Sequence, residues 1–220
     1  EEKNMLSQVS TCLLNDFSEV IKIAENSASL MNRLKGTGVL SYEIAADHGA
    51  TGIAAKAVGI KIKEFHFSGN ESEEKMVNKI KELSEDEKIN GIIVELPLPD
   101  KFDQDKILNS IPEEKDVDIL STSAQEKFYN NRSKMLPPTV GALELLFKEY
   151  GIDTRGKTAV VFGQSILIGK PISHWLEQME AKVFRIDEYA SNPKEMSRRA
   201  DIIISGVGKP NLIKEDMIKE

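Results

Sequence analysis

Apolar positions along residues 157–188 change period twice. Thr158-Ala159-Val160-Val161-Phe162 is apolar on both faces, the pattern of a buried parallel strand. Gly163 ends it and a short polar loop runs to Gly169. Beyond that, Ile172, Leu176 and Met179 recur at helical spacings before a second apolar run closes at Asp187. The stretch predicts strand, loop, helix, strand. In such a unit a glycine-containing turn brings backbone N–H groups and the positive end of a helix to a phosphate, and an acidic residue after the next strand can hold a ribose hydroxyl. Asp187 stands in that place. The G-x5-G spacing from Gly163 to Gly169 is neither G-x-G-x-x-G nor a nucleoside triphosphate loop, since Pro171 follows Gly169-Lys170. A unit of this kind that binds nothing is the plain alternative.

The rest of the chain alternates in the same way. Residues 1–35 carry a helical stripe through Leu13, Phe17, Val20, Ile21 and Ala24 that ends before Gly36. Val39–Ile44 reads as a strand, Ala45–Val58 as a loop feeding an alanine-rich helix, and Lys61–Phe67 as the next strand. Glu71–Lys88 predicts an amphipathic helix with Met76, Val77, Ile80 and Leu83 inward. Asn90–Glu95 is a buried strand that runs into Leu96-Pro97-Leu98-Pro99, a stiff edge where open α/β sheets bind ligands. Asp103–Ser110 predicts a short helix, and residues 119–138 read as an irregular, functional segment. Thr139 is expected to cap a helix to Tyr150 with Leu143, Leu146 and Phe147 as its buried stripe. Pro193–Ala200 reads as a helix and Asp201–Ser205 as a strand, followed by the glycine turn Gly206-Val207-Gly208-Lys209-Pro210.

Composition narrows the partners. A net charge of −7 with no long basic run argues against nucleic acid. The single cysteine, Cys12, leaves no disulfide framework, and no apolar run reaches the roughly 20 residues that span a bilayer. A cytoplasmic protein with no membrane partner is expected. His48, His66 and His174 lack metal-ligand spacing, so no metal is expected.

Four stretches, in order, carry a resemblance: Gly91–Pro99, Glu114-Lys115-Asp116-Val117-Asp118, Leu136-Pro137-Pro138-Thr139, and Gly163-Gln164-Ser165 through Gly169-Lys170-Pro171, followed by Gly206-Val207-Gly208-Lys209-Pro210. Together the chain resembles the methylenetetrahydrofolate dehydrogenase/methenyltetrahydrofolate cyclohydrolase family over roughly residues 36–220. The resemblance implies two three-layer α/β domains flanking a cleft: a folate-binding catalytic domain, residues 1–138, and a Rossmann-type NAD- or NADP-binding domain, residues 139–220, through which members form homodimers. Hydride would pass from a tetrahydrofolate derivative to NAD or NADP. Pro97 and Leu98 would line the folate pocket and Asp118 would hold the pterin amino group. Gly163, Gln164, Ser165, Ile168, Gly169, Gly206 and Gly208 would meet the cofactor, with Asp187 at the ribose.

Departures fall at motif positions. The family's tyrosine and lysine of the first domain, counted back from Val58-Gly59-Ile60, become Asp47 and Thr51. Threonine supplies no basic amine for proton transfer, so the cyclohydrolase step is in doubt; Lys56, five residues on, is a candidate substitute. Glu95 stands where the family has glutamine, exchanging an amide for a carboxylate. Ile119 replaces a glycine, Pro138 a cysteine, Val140 a proline and Gln164 an arginine. Losing that arginine beside Asp187 favours NAD over NADP, unless Arg185 pairs with Asp187 instead. The sequence also ends before the family's last strand, turn and helix, so a truncated second domain is expected. An NAD(P)-dependent dehydrogenase, a binding protein that has lost the reaction, and a bifunctional enzyme with a relocated lysine are the readings this leaves.

Overall fold

The computed structural model describes residues 37–42, 60–67, 71–209 and 211–219, with backbone alone at 37–42 and Glu64. The expected helix of residues 1–35 and the Ala45–Val58 segment lie outside the described residues, as do Asp47, Thr51 and Lys56. The chain divides into two compact units, Glu1–Gln125 and Glu126–Glu220, and each holds a three-stranded parallel sheet. The architecture is α/β, as the alternation of strand and helix patterns predicts.

In the first unit β1 (Thr37–Tyr42) lies between β2 (Lys63–Phe67) and β3 (Gly91–Val94), with Leu40 level with Phe65 and Val94. Helix α1 (Glu73–Glu85) starts at Ser72, whose side chain accepts the Lys75 N–H, and has Glu73 and Glu74 in its first turn. Met76, Ile80 and Leu83 are its buried face, each contributing about 1.5–3 kcal/mol. Its last carbonyls would be orphans, but Lys115 reaches them: Nζ donates to Ser84 O at 2.6 Å, Asp86 O at 2.9 Å and Leu83 O at 3.3 Å. A short α2 (Gln104–Leu108), capped by Asp103, and a 3-10 turn at Glu113–Lys115 follow.

Residues 119–138 are not irregular throughout. Helix α3 (Thr122–Tyr129) occupies this segment. Ser121 Oγ accepts the Ala124 N–H at 3.4 Å, and Gln125 Nε2 donates to Leu120 O at 2.9 Å. Ala124 and Phe128, four apart, are its buried contacts. Two buried positions make a weak periodic signal, and hydrogen bonds at the start of the helix complement it.

In the second unit α4 (Pro138–Glu149) begins with proline at N1, where its missing N–H costs nothing. Thr139 is therefore not the cap; its hydroxyl donates to Leu167 O at 2.7 Å. Val140 is the buried residue of α4, while Leu143, Leu146 and Phe147 are half-buried rather than a buried stripe. They face a neighbouring helix, where the Phe147 ring tilts against Trp175 with centroids 5.5 Å apart.

The second sheet runs β5 (Lys182–Ile186), β4 (Thr158–Phe162), β6 (Ile202–Ser205). Every residue of β4 from Ala159 to Phe162 is 3% exposed or less, so both faces are covered. Helix α5 (Gly169–Gln178) buries Ile172, Trp175 and Leu176. Met179 departs from the predicted face: the helix ends at Gln178, and this side chain is 45% exposed. A short α6 (Pro193–Arg198) and a 3-10 turn at Glu215–Met217 complete the unit, around a core of Val160, Phe162, Ile186, Ala200 and Met217. No helix among the described residues is long and apolar enough to cross a membrane.

Replacing Lys115 with methionine keeps the apolar stem and removes the donor from three α1 carbonyls. The expected loss is about 1.5–3 kcal/mol of unfolding free energy, read from urea titration. An unchanged midpoint and slope would show that the ammonium contributes nothing to the helix end.

Candidate functional site

Beyond β3 the chain continues as Glu95-Leu96-Pro97-Leu98-Pro99, with a cis Leu96–Pro97 peptide. Of the two pocket residues expected here, Pro97 is exposed and Leu98 is buried; Glu95 is half-buried. Asp116 pairs in parallel with Ile92 in an isolated bridge, which brings the segment against β3, and Val117 and Asp118 turn directly after it. Gly91 permits this approach, because a Cβ there would stand 2.5 Å from Val117 Cγ1.

Asp116 is 1% exposed, and its carboxylate is consumed by the backbone ahead of it. Oδ2 accepts the N–H of Ser121 at 2.7 Å and of Leu120 at 3.0 Å, with Oδ1 3.2 Å from the Leu120 nitrogen. This closes residues 116–121 into a tied loop. Within it Ile119, where the family resemblance expects glycine, keeps a left-handed φ of 57°. For a β-branched residue that costs about 1–2 kcal/mol. Its side chain is 4% exposed, and burial of an isoleucine contributes about 1.5–3 kcal/mol, so the side chain more than offsets the backbone.

Asp118 is partly buried in the same loop and makes no hydrogen bond among the described residues. Burial pushes its carboxyl up to about 7, and the neighbouring Asp116 charge adds to the shift. A carboxyl without a donor among the described residues, held in a loop bridged to the sheet, is suited to an incoming amine or amide donor. The sequence motif singled out Asp118 but not Asp116 or Lys115, which hold the segment; the Asp-x-Asp alternation alone does not say which carboxylate points inward.

In the second unit the turn after β4 is packed around absent side chains. Gly163 has φ +82° and donates its N–H to Ile186 O at 2.8 Å. A Cβ on Gly169 would fall 1.6 Å from Gly163 O, and one on Gly206 would fall 2.4 Å from Ile168 Cγ2. Gly163, Ile168, Gly169 and Gly206 therefore pack together in one turn, and Gly208, at φ +63°, faces open space. Ser165 shapes the loop by accepting the Ile168 N–H at Oγ (3.2 Å) and the Lys170 N–H at its carbonyl (3.1 Å). Gln164 turns back, donating Nε2 to Val161 O at 3.1 Å and Gly163 O at 2.9 Å. The N–H groups of Ser165, Ile166 and Leu167 have no hydrogen-bond partner among the described residues. Free amides, a helix start and glycines that admit close approach fit the pyrophosphate of a dinucleotide.

Asp187 directly follows β5 and accepts the Tyr189 N–H at 3.0 Å. The alternative pairing with Arg185 is not formed. Arg185 instead makes two 2.8 Å bonds to both carboxylate oxygens of Glu177 on α5, a bidentate geometry that outcompetes a neighbour on its own strand.

Residues 49–118 match the family described as tetrahydrofolate dehydrogenase/cyclohydrolase, catalytic domain, and residues 137–220 match its NAD(P)-binding domain. The Bifunctional protein FolD 2 of Lactobacillus johnsonii is 35% identical over 218 residues, covering 94% of this chain and 77% of that protein. The crystal structure of the bifunctional enzyme FolD, methylenetetrahydrofolate dehydrogenase/cyclohydrolase, from Campylobacter jejuni is 27% identical with a TM-score of 0.80, over 92% of this chain and 75% of that one. The Trypanosoma brucei methylenetetrahydrofolate dehydrogenase-cyclohydrolase, complexed with NADP cofactor and inhibitor, is 25% identical with a TM-score of 0.79, over 91% and 72%.

Asp118 carries a pH signature. Its carboxyl rises from 3.8 to about 7 on folding, so between these values the folded chain binds more protons than the unfolded one. Its contribution to stability is complete below about pH 4 and is lost as pH rises toward about 7. Asp118→Asn removes that loss, so the variant should gain on the native chain by up to about 1.4 kcal/mol per pH unit through the window and then level off. Urea unfolding at a series of pH values reads this; a difference that does not vary with pH contradicts the desolvated carboxyl.

Proposed function

The chain belongs to the tetrahydrofolate dehydrogenase/cyclohydrolase family, and on that premise we propose that it transfers a hydride from methylenetetrahydrofolate to a nicotinamide dinucleotide. The observation that carries this reading is the tied loop of residues 116–121, bridged to β3 at Ile92, in which Asp118 has no hydrogen-bond donor among the described residues. The pterin amino group would donate to that carboxyl, and Pro97 and Leu98 would form the wall beside it. Residues 163–169 with Gly206 and Gly208 would hold the pyrophosphate, and Asp187 the ribose. When bound, the dinucleotide supplies the hydride acceptor.

Hydride transfer depends on alignment of the methylene carbon with that acceptor and asks for no proton at the reacting atom. The hydrolytic step differs, because it needs a group that moves a proton. Thr51 offers a hydroxyl that is not appreciably basic near neutral pH, so the cyclohydrolase rate is low in this reading unless Lys56 serves. Glu95 adds an acceptor beside the pterin in place of an amide. The domain boundary near residue 138, a homodimer through the nucleotide unit and a cytoplasmic location belong to the same proposal and are supported by the family likeness.

Purified chain mixed with methylenetetrahydrofolate and NAD or NADP should produce the absorbance of the reduced nucleotide. Asp118→Ala should weaken folate binding by roughly tenfold or more, the worth of one hydrogen bond to a charged group, while nucleotide affinity is unchanged. Failure to reduce either nucleotide sinks the dehydrogenase reading, and unaltered folate affinity removes Asp118 from the pocket.

A further inference from the structure

NAD and NADP differ only at the adenosine ribose, where one carries a 2′-hydroxyl and the other a 2′-phosphate. In an open parallel sheet that ribose sits beyond the C-terminal end of the strand beside the one feeding the glycine turn. Here that strand is β5, paired with β4 from Lys182 to Ile186, and the first residue past it is Asp187. The Tyr189 N–H holds Oδ1 at 3.0 Å, while Oδ2 has no hydrogen-bond partner among the described residues. Glu188, also exposed, adds a second acidic side chain to the same turn.

Positive charge that could meet a 2′-phosphate is committed or displaced. Both carboxylate oxygens of Glu177 bind the Arg185 guanidinium at 2.8 Å. Gln164, at the turn itself, is uncharged and has its amide bonded to Val161 O and Gly163 O. Lys170 belongs to the first turn of the helix that would receive the pyrophosphate. Lys209 follows β6, on the far side of β4 from β5. Lys182 starts β5 at the opposite end.

We infer that Asp187 makes this chain select NAD against NADP, its free carboxylate oxygen accepting the ribose 2′-hydroxyl and repelling a 2′-phosphate, with Arg185 held by Glu177. The inference rests on the nucleotide-binding reading of the second unit. Titration calorimetry of the full chain with ADP-ribose and with 2′-phospho-ADP-ribose tests it without reference to catalysis. ADP-ribose should bind at least about tenfold more tightly, the effect of one lost bond and one unscreened repulsion. Asp187→Asn keeps an acceptor for the Tyr189 N–H, so the turn stands, and should narrow the ratio severalfold. Adding Gln164→Arg to that variant should reverse it. Binding of neither compound overturns the nucleotide-binding reading itself. Equal affinity, a preference for the 2′-phosphate in the native chain, or an Asp187→Asn ratio equal to the native one overturns the assignment of selectivity to Asp187 alone.

Discussion

The buried Asp116 carboxylate, closed onto the backbone N–H groups of Leu120 and Ser121, is the constraint from which the loop of residues 116–121 follows. A carboxylate 1% exposed is tolerable only because its lone pairs are met by donors of the same loop. Those bonds fix where residue 118 stands, what conformation residue 119 must adopt, and where α3 begins. The same charge also raises Asp118. One side chain thus both places Asp118 and adjusts how readily it gives up its proton. Lys115, the residue before it, ties the segment to the end of α1 from the other side.

The glycine turn of the second unit is held by a different means. No buried charge organises the turn after β4; close packing against its glycines does. Gly169 lies against Gly163 O, Gly206 lies against Ile168, and the Gly163 and Gly206 amides are spent on Ile186 O and Phe162 O. With those amides used, the N–H groups of Ser165, Ile166 and Leu167 are among those of the turn that have no hydrogen-bond partner among the described residues. The sheet behind the turn is the rigid part, since β4 is covered on both faces.

Much of this was legible in the sequence where burial writes the pattern. The apolar run Thr158–Phe162 announced a central strand because a strand buried on both faces has no polar alternation to blur it. Helix α1 was equally plain from Met76, Ile80 and Leu83. What escaped was structure specified by hydrogen bonds rather than by periodicity. Helix α3 buries Ala124 and Phe128 and starts on the Ser121 hydroxyl, so its apolar signal is too thin to register. Threonine is a common cap, so the sequence points to Thr139 as the start of α4, but Pro138 occupies the first helical position. Arg185 could not be assigned from its own strand, because its partner Glu177 reaches it across the turn between α5 and β5. Asp47, Thr51 and Lys56 lie outside the described residues, so the reading of the reacting centre rests on residue chemistry.

The glycine positions separate two demands that a family pattern does not distinguish. At Gly91, Gly169 and Gly206 the demand is space: an added Cβ would stand 2.5, 1.6 and 2.4 Å from Val117 Cγ1, Gly163 O and Ile168 Cγ2. A side chain there brings only a clash, and at Gly169 the obstacle is backbone that cannot rotate away. After Asp118 the demand is conformation alone, a φ of 57°. A side chain there brings strain of about 1–2 kcal/mol but also something to bury, and Ile119 is 4% exposed. The second term is the larger, at about 1.5–3 kcal/mol. Substitution was therefore open at residue 119 and closed at the other three, and the loop retains a glycine's backbone with an isoleucine in it because Asp116 leaves it no other path.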